Sequence, residues 1–145
     1  LNISKDDTVL TIGSGVGYNS VILSYLCNTV IGIESIKSFY DFSSDILIKL
    51  QVNNVVFIKT KIENGYSDQQ PYDCIIIEGG VNHFPNEILN QLSENGRLVA
   101  VEIKEGNVGK ATMYQRYGKE FTKKYLFDAY IPVFDGFKKI QNFNF

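Results

Sequence analysis

Gly13-Ser14-Gly15-Val16-Gly17 is the stretch of this 145-residue sequence whose residue types point most directly at ligand chemistry. Glycines at that spacing let a backbone turn tightly and approach a ligand closely, with the N-terminus of a following helix behind them. Glu34 follows 21 residues after Gly13. An acid there, at the end of a second strand, can accept hydrogen bonds from both hydroxyls of a ribose. Loop and acid together predict a nucleoside-type ligand; the plainer alternative is a glycine-bearing turn followed by a surface Glu. The dinucleotide pattern GxGxxG fails at its last position, Tyr18, and no GxxxxGKS/T run could hold a triphosphate. No Ser-His-Asp or Cys-His pattern offers a nucleophile, so no catalytic side chain is assigned. Glu78 falls at the end of a fourth apolar run, where it could face the ligand or cap the next turn. His83, the one histidine, follows in a loop as either a base or an ordinary loop or cap residue. Cys27 and Cys74 have no CxxC and no His nearby in sequence, and read as small buried hydrophobes, not as a disulfide or a metal site.

The elements that must position these residues follow from hydrophobic period. Runs at 8–12 (TVLTI), 29–33 (TVIGI), 55–58 (VVFI), 74–77 (CIII) and 97–103 (RLVAVEI) predict buried strands. The fourth is apolar on both faces, as a central parallel strand should be. Val21, Ile22, Tyr25 and Leu26 recur at helical spacing over 18–26, and Phe39, Phe42, Ile46, Leu47 and Leu50 mark one face of an amphipathic helix over 37–50. Pro85 suits the first turn of a helix carrying Ile88, Leu89 and Leu92, which stops at Asn95-Gly96. Residues 111–116 and 124–130 then read as two strands around Gly118 with no helix between them. Alternating strand and helix closed by a hairpin predicts an α/β fold: Rossmann-like and doubly wound, a mostly parallel seven-stranded sheet with an antiparallel C-terminal hairpin, forming one domain over residues 1–145. A GxGxG loop in that setting favours S-adenosyl-L-methionine, whose sulfonium is cationic and which carries no phosphate.

Composition narrows the partners. Fourteen Lys+Arg against 16 Asp+Glu give a net charge of -2, which leaves no electrostatic footprint for nucleic acid or an anionic membrane. No apolar run approaches 18 residues and no signal peptide precedes the first strand, so a cytoplasmic location is expected. Tyr114, Tyr117, Tyr125 and Tyr130 read as packing residues, since few cations accompany them. Lys123-Lys124 and Lys138-Lys139 are too short to track a phosphate backbone.

VLTIGSGVGY (9–18), VIGIE (30–34), NGYSDQQPYDCIIIEG (64–79) and ILNQLSENGRLVAV (88–101) resemble, in this order, the protein-L-isoaspartate O-methyltransferases. The most family-specific piece is the short GY…PYD connection of Gly65, Tyr66, Pro71, Tyr72 and Asp73; LFDAYIPVFDGF (126–137) is similar to the family's last strand and Pro-containing turn. The resemblance implies methyl transfer from S-adenosyl-L-methionine to the carboxylate of L-isoaspartyl or D-aspartyl residues, with damaged, isoaspartyl-containing proteins as partners. Such a carboxylate, with a pKa near about 3.9, is ionised at pH 7 and needs no general base, so positioning carries the reaction. Carried over, Gly13, Ser14 and Gly15 would pass the methionine part of the cofactor, Glu34 would hold the ribose, and Ser35 and Ile62 would lie beside the adenine. Gly17 and Glu78 are counted with this set, Glu78 towards the sulfonium.

Four departures qualify the resemblance. Thr11 stands where the family usually has an acid, and Thr60-Lys61-Ile62 where it usually has GDG; Lys61 has only donors and cannot accept from an adenine amino group. Without these two polar interactions, worth about 0.5–1.5 kcal/mol each, cofactor binding would weaken about tenfold or more. Glu78-Gly79-Gly80 replaces small residues such as Thr-Ala-Ala. The family's segment before the first strand is missing, which predicts a cofactor-binding core with an incomplete acceptor side. Glu78-Gly79-Gly80 and His83 keep open a methyltransferase with another acceptor, and Thr11 and Lys61 keep open a methyltransferase-like binding domain without activity.

Overall fold

β1 (Thr8–Ile12) runs through the centre of the molecule, with Val9, Leu10, Thr11 and Ile12 all sealed from solvent. In the computed structural model, which describes residues 1–82, 86–104 and 108–138, it is followed by α1 (Tyr18–Ser24), β2 (Thr29–Glu34), α2 (Lys37–Leu50) and β3 (Val55–Lys59). The chain then crosses back to the other side of β1 as β4 (Tyr72–Val81), a single helical turn α3 (Asn86–Leu89), β5 (Leu92–Glu102), β6 (Gly109–Tyr117) and β7 (Glu120–Ala129). The sheet order is β3-β2-β1-β4-β5-β6-β7, parallel through β5 and antiparallel in the last two pairings. This is the doubly wound, mostly parallel seven-stranded sheet with a C-terminal hairpin that the alternating pattern predicts. The winding reverses between β1 and β4, so their carboxyl ends open the crevice where such sheets hold ligands.

Alternation along the parallel strands fills two cores. Leu10, Ile12, Ile31, Ile33, Ile75, Ile77 and Leu98 build one; Val9, Val30, Val55, Phe57 and Cys74 build the other with Leu23 and Cys27. Cys27 and Cys74 are free and buried, as their apolar settings predict. Burial above all pushes the Cys74 thiol up to about 12, which leaves it inert. At the amino end of the sheet, Asp7 is held by the Ser4 backbone and hydroxyl and by Arg97 at 2.8 Å. Among the described residues no helix is long and apolar enough to cross a membrane.

Three local readings are corrected. The helix placed over Pro85 to Asn95 is only the turn Asn86–Leu89; Pro85 lies outside the described residues, as does His83, and Leu92 opens β5. The Tyr72 amide donates to the Gln91 carbonyl at 2.8 Å, and the Arg116 guanidinium donates to the Leu92 carbonyl at 2.6 Å, so this backbone is claimed by the sheet. Asn95-Gly96 is therefore no helix stop. Asn95, at φ 62°, sits where the pairing with β4 slips from Tyr72↔Leu92 to Cys74↔Arg97, a bulge within the strand.

The second and third corrections concern helix faces. α1 stops at Ser24 and buries Ser20 and Leu23, leaving Ile22, Tyr25 and Leu26 exposed. In α2, Phe39, Phe42 and Leu50 are 41%, 52% and 53% exposed, and the inward line is Tyr40, Ser43 and Leu47. Steric room explains the choice. A Cβ on Gly17 would lie 3.0 Å from Ser43 Cβ and 2.7 Å from Phe57 Cζ, so α2 crosses the glycine loop only with a small residue at the contact.

The connection between β3 and β4 is held by one buried amide. Gln91 Oε1 accepts from the Tyr66 amide at 2.9 Å, and its Nε2 donates to the Asn64 carbonyl at 2.7 Å. A Cβ on Gly65, at φ +66°, would lie 2.5 Å from Gln91 Oε1. The Tyr72 hydroxyl closes the turn by donating to the Tyr66 carbonyl at 2.6 Å.

Candidate functional site

The glycine loop leaves β1 in a conformation that side chains resist. Gly13, Gly15 and Gly17 have φ of 74°, 54° and 82°, all in the left-handed region where only glycine is unstrained. The Gly13 and Ser14 amides both donate to the Ile33 carbonyl, at 2.9 and 3.1 Å, which welds the loop to the end of β2. That weld brings Glu34 under the loop. Its Oε2 accepts from the Gly15 amide and its Oε1 from the Ile36 amide, each at 2.8 Å, and only 4% of the residue is exposed.

These elements enclose a cavity of about 260 Å³. Of the residues singled out from sequence, Gly13, Gly15, Glu34, Ser35 and Ile62 line it together. Ser14, Gly17 and Glu78 do not. Ser14 is buried with its hydroxyl turned to the Ile33 carbonyl, and Gly17 is covered by Ser43 and Phe57. Glu78 accepts from Asn19 Nδ2 at 2.6 Å, while its Oε1 is buried without a partner. Burial first, and then the negative charge of Glu34, raise its pKa above the ordinary carboxylate value.

The departures also have places. The Thr11 hydroxyl pairs with Ser20 Oγ at 3.0 Å, tying β1 to α1, and Lys61 is exposed outside the cavity lining. Larger clefts of about 650 and 610 Å³ lie beside the end of α2 and on the β6–β7 face, and neither touches the glycine loop.

Ile36, Phe39, Glu63 and Phe134 also line the cavity and were missed from sequence. Phe39 carried a signal, as an apolar residue of α2, but it covers the cavity and not the core. Phe134 arrives from the far end of the chain. Residues 131–137 fold back as a strap over β4: the Gly80 amide donates to the Pro132 carbonyl at 2.8 Å, and the Phe134 amide donates to the Gly80 carbonyl at 3.1 Å. No local period announces such a pairing.

A cavity lined by glycine backbone, by the buried Glu34 with Glu63 and Asp135, and by the apolar Ile36, Phe39 and Ile62 can hold a flat heteroaromatic base joined to a diol. Comparison with known proteins bears on the family and the fold. A curated relative from Pseudomonas paraeruginosa, "Protein-L-isoaspartate O-methyltransferase", is 30% identical over 131 residues, covering 90% of this chain and 62% of its own length. Another of that name from Desulfotalea psychrophila is 35% identical over 99 residues, covering 68% of this chain and 46% of its own. The chain thus spans less than two thirds of either relative. Among solved structures, a protein-L-isoaspartate O-methyltransferase superposes with a TM-score of 0.84 at 24% identity, covering 90% of this chain and 43% of that one. A beta-aspartate methyltransferase from Plasmodium falciparum in complex with S-adenosyl-L-homocysteine superposes at 0.71 with 20% identity, covering 90% and 66%. At these identities the structural likeness is one of fold. The family model "Protein-L-isoaspartate(D-aspartate) O-methyltransferase" matches residues 1–138, and the chain belongs to that family.

Proposed function

We propose that the cavity under the glycine loop is the nucleoside half of an S-adenosyl-L-methionine site. We propose further that the protein uses it in methyl transfer to the carboxylate of isoaspartyl residues in damaged proteins. The observation that carries this reading is the Glu34 carboxylate. A carboxylate offers about four acceptor positions. The Gly15 and Ile36 amides take one on each oxygen, which orients the group and leaves one on each for the two ribose hydroxyls. Ile36, Phe39 and Ile62 supply the apolar flank that an adenine ring needs, with Ser35 beside it. Gly15, where an added Cβ would meet nothing within 4 Å, leaves the backbone open for a ligand to lie against it.

When bound, the cofactor supplies a methyl group on a sulfonium. The residues here bind and orient; none of them has to move a proton, because the acceptor carboxylate is ionised at neutral pH. The curated relatives named for isoaspartate support that acceptor.

The test incubates the protein with methyl-labelled S-adenosyl-L-methionine and two peptides that differ only in L-isoaspartate against aspartate. The expected outcome is label released by mild base from the isoaspartyl peptide alone. Label on neither peptide, or on both equally, would contradict the assigned acceptor.

A further inference from the structure

Phe134 lines the cavity where the glycine loop leaves β1. Its ring lies between Gly13, at the end of β1, and Gly79, near the end of β4. A Cβ on Gly13 would come 2.5 Å from Phe134 Cζ, and a Cβ on Gly79 2.5 Å from Phe134 Cδ2, so the two glycines form a slot that the ring fills. That slot crosses the crevice between the carboxyl ends of β1 and β4. What remains is about 260 Å³, below the roughly 300–1,000 Å³ usual for small-molecule pockets. Gly15, Glu34, Ser35 and Ile62 line the space that is left, and the Phe134 ring occupies the space beside Gly13 and Gly79.

The backbone that carries the ring is pinned on both sides. The strap bonds to Gly80 through Pro132 and Phe134, and Phe137, 2% exposed, anchors its far end while its carbonyl accepts from the Asn82 amide at 3.2 Å. The Phe137 amide in turn donates to the Phe134 carbonyl at 2.9 Å. Opening the slot therefore falls to the Phe134 side chain, by rotation out of the space between the glycines.

We infer that Phe134 sets the ligand preference of this site: it closes the subsite for the methionine tail, so the protein takes adenosine-type ligands with a short 5′ substituent at full strength and takes the complete cofactor only with the ring displaced. This rests on the nucleoside reading above. A ligand that must expel a packed ring binds more weakly by the cost of expelling it.

Calorimetric titration of the wild type and of Phe134→Ala with S-adenosyl-L-homocysteine and with 5′-methylthioadenosine tests it. The wild type is expected to bind S-adenosyl-L-homocysteine no more tightly than 5′-methylthioadenosine, since the longer ligand must first displace the ring. In Phe134→Ala the preference for S-adenosyl-L-homocysteine rises by about tenfold or more. Phe134→Thr, whose branched side chain suits the extended backbone of the strap, is expected to shift the ratio the same way should the alanine variant fold poorly. A wild type that already prefers S-adenosyl-L-homocysteine by tenfold overturns the proposal without any variant, and so does a ratio unchanged by the substitutions. Failure of 5′-methylthioadenosine to bind either protein overturns the nucleoside reading itself, a different outcome from a bound nucleoside with an indifferent Phe134.

Discussion

Glu34, Glu63 and Asp135 line the cavity and Glu78 lies close enough to feel the charge of Glu34; three of these four have contrasting surroundings. Glu34 is buried but accepts two backbone amides, so its charge is held in place and its remaining acceptor positions face one way. Glu63 lies against Gly136 with a buried Oε2 that has no partner. Glu78 is shielded by burial, repelled by Glu34 and stabilised only by the Asn19 amide. A carboxyl raised above its unfolded value binds its proton more readily in the folded state. Its contribution to stability is then greatest below the unfolded value and is lost as pH rises through the folded one. Glu78→Gln should therefore raise the thermal midpoint at pH 7–8. The advantage over wild type should shrink as the pH is lowered towards the ordinary carboxylate range of about 4. A variant that melts below wild type at pH 8 and above it at pH 4 would contradict the placement of Glu78.

At the scale of elements, strands with unbroken apolar runs were legible from sequence and helix faces were not. β1 matches its run residue for residue, and α2 its length, because a buried parallel strand tolerates nothing else and Lys37–Leu50 has no breaker inside it. The faces failed because apolar residues in α1 and α2 outnumber the inward positions. Phe39, Phe42, Ile22 and Tyr25 satisfy a helical period while the packing contact at Gly17 demands Ser43. Leu92 failed for a related reason, since a bulged strand start can imitate the last turn of a helix. Glu34, Gly13 and Gly15 sit at fixed offsets from β1 and β2 and could be grouped from sequence, whereas Phe134 depends on a strap whose Val133 pairs with Gly80 across 53 positions of chain. The connection between β3 and β4 offers the prediction at this scale. Gln91→Ala leaves the Tyr66 amide and the Asn64 carbonyl without their partner, which should cost about 1–3 kcal/mol in denaturant unfolding. A cost under about 0.3 kcal/mol would show that Gln91 does not hold the turn.

Across the whole molecule, seven strands in the order β3-β2-β1-β4-β5-β6-β7 place one reversal of winding, and the glycine loop, Glu34, the start of α2 and the returning strap converge on it. The net charge of -2 suits a cavity built for a small ligand with its own anchor in Glu34, with no field needed to gather a polyanion. Everything proposed for this site depends on that carboxylate holding a ribose. The direct measurement is a titration of the wild type and of Glu34→Gln with adenosine and with 2′-deoxyadenosine. Glutamine can still accept from a backbone amide but offers no charged acceptor to the diol. The wild type should prefer adenosine by about tenfold, the worth of about one hydrogen bond to a charged group, and Glu34→Gln should lose most of that preference. A wild type indifferent to the 2′-hydroxyl, or a variant that keeps the full preference, would contradict the assignment.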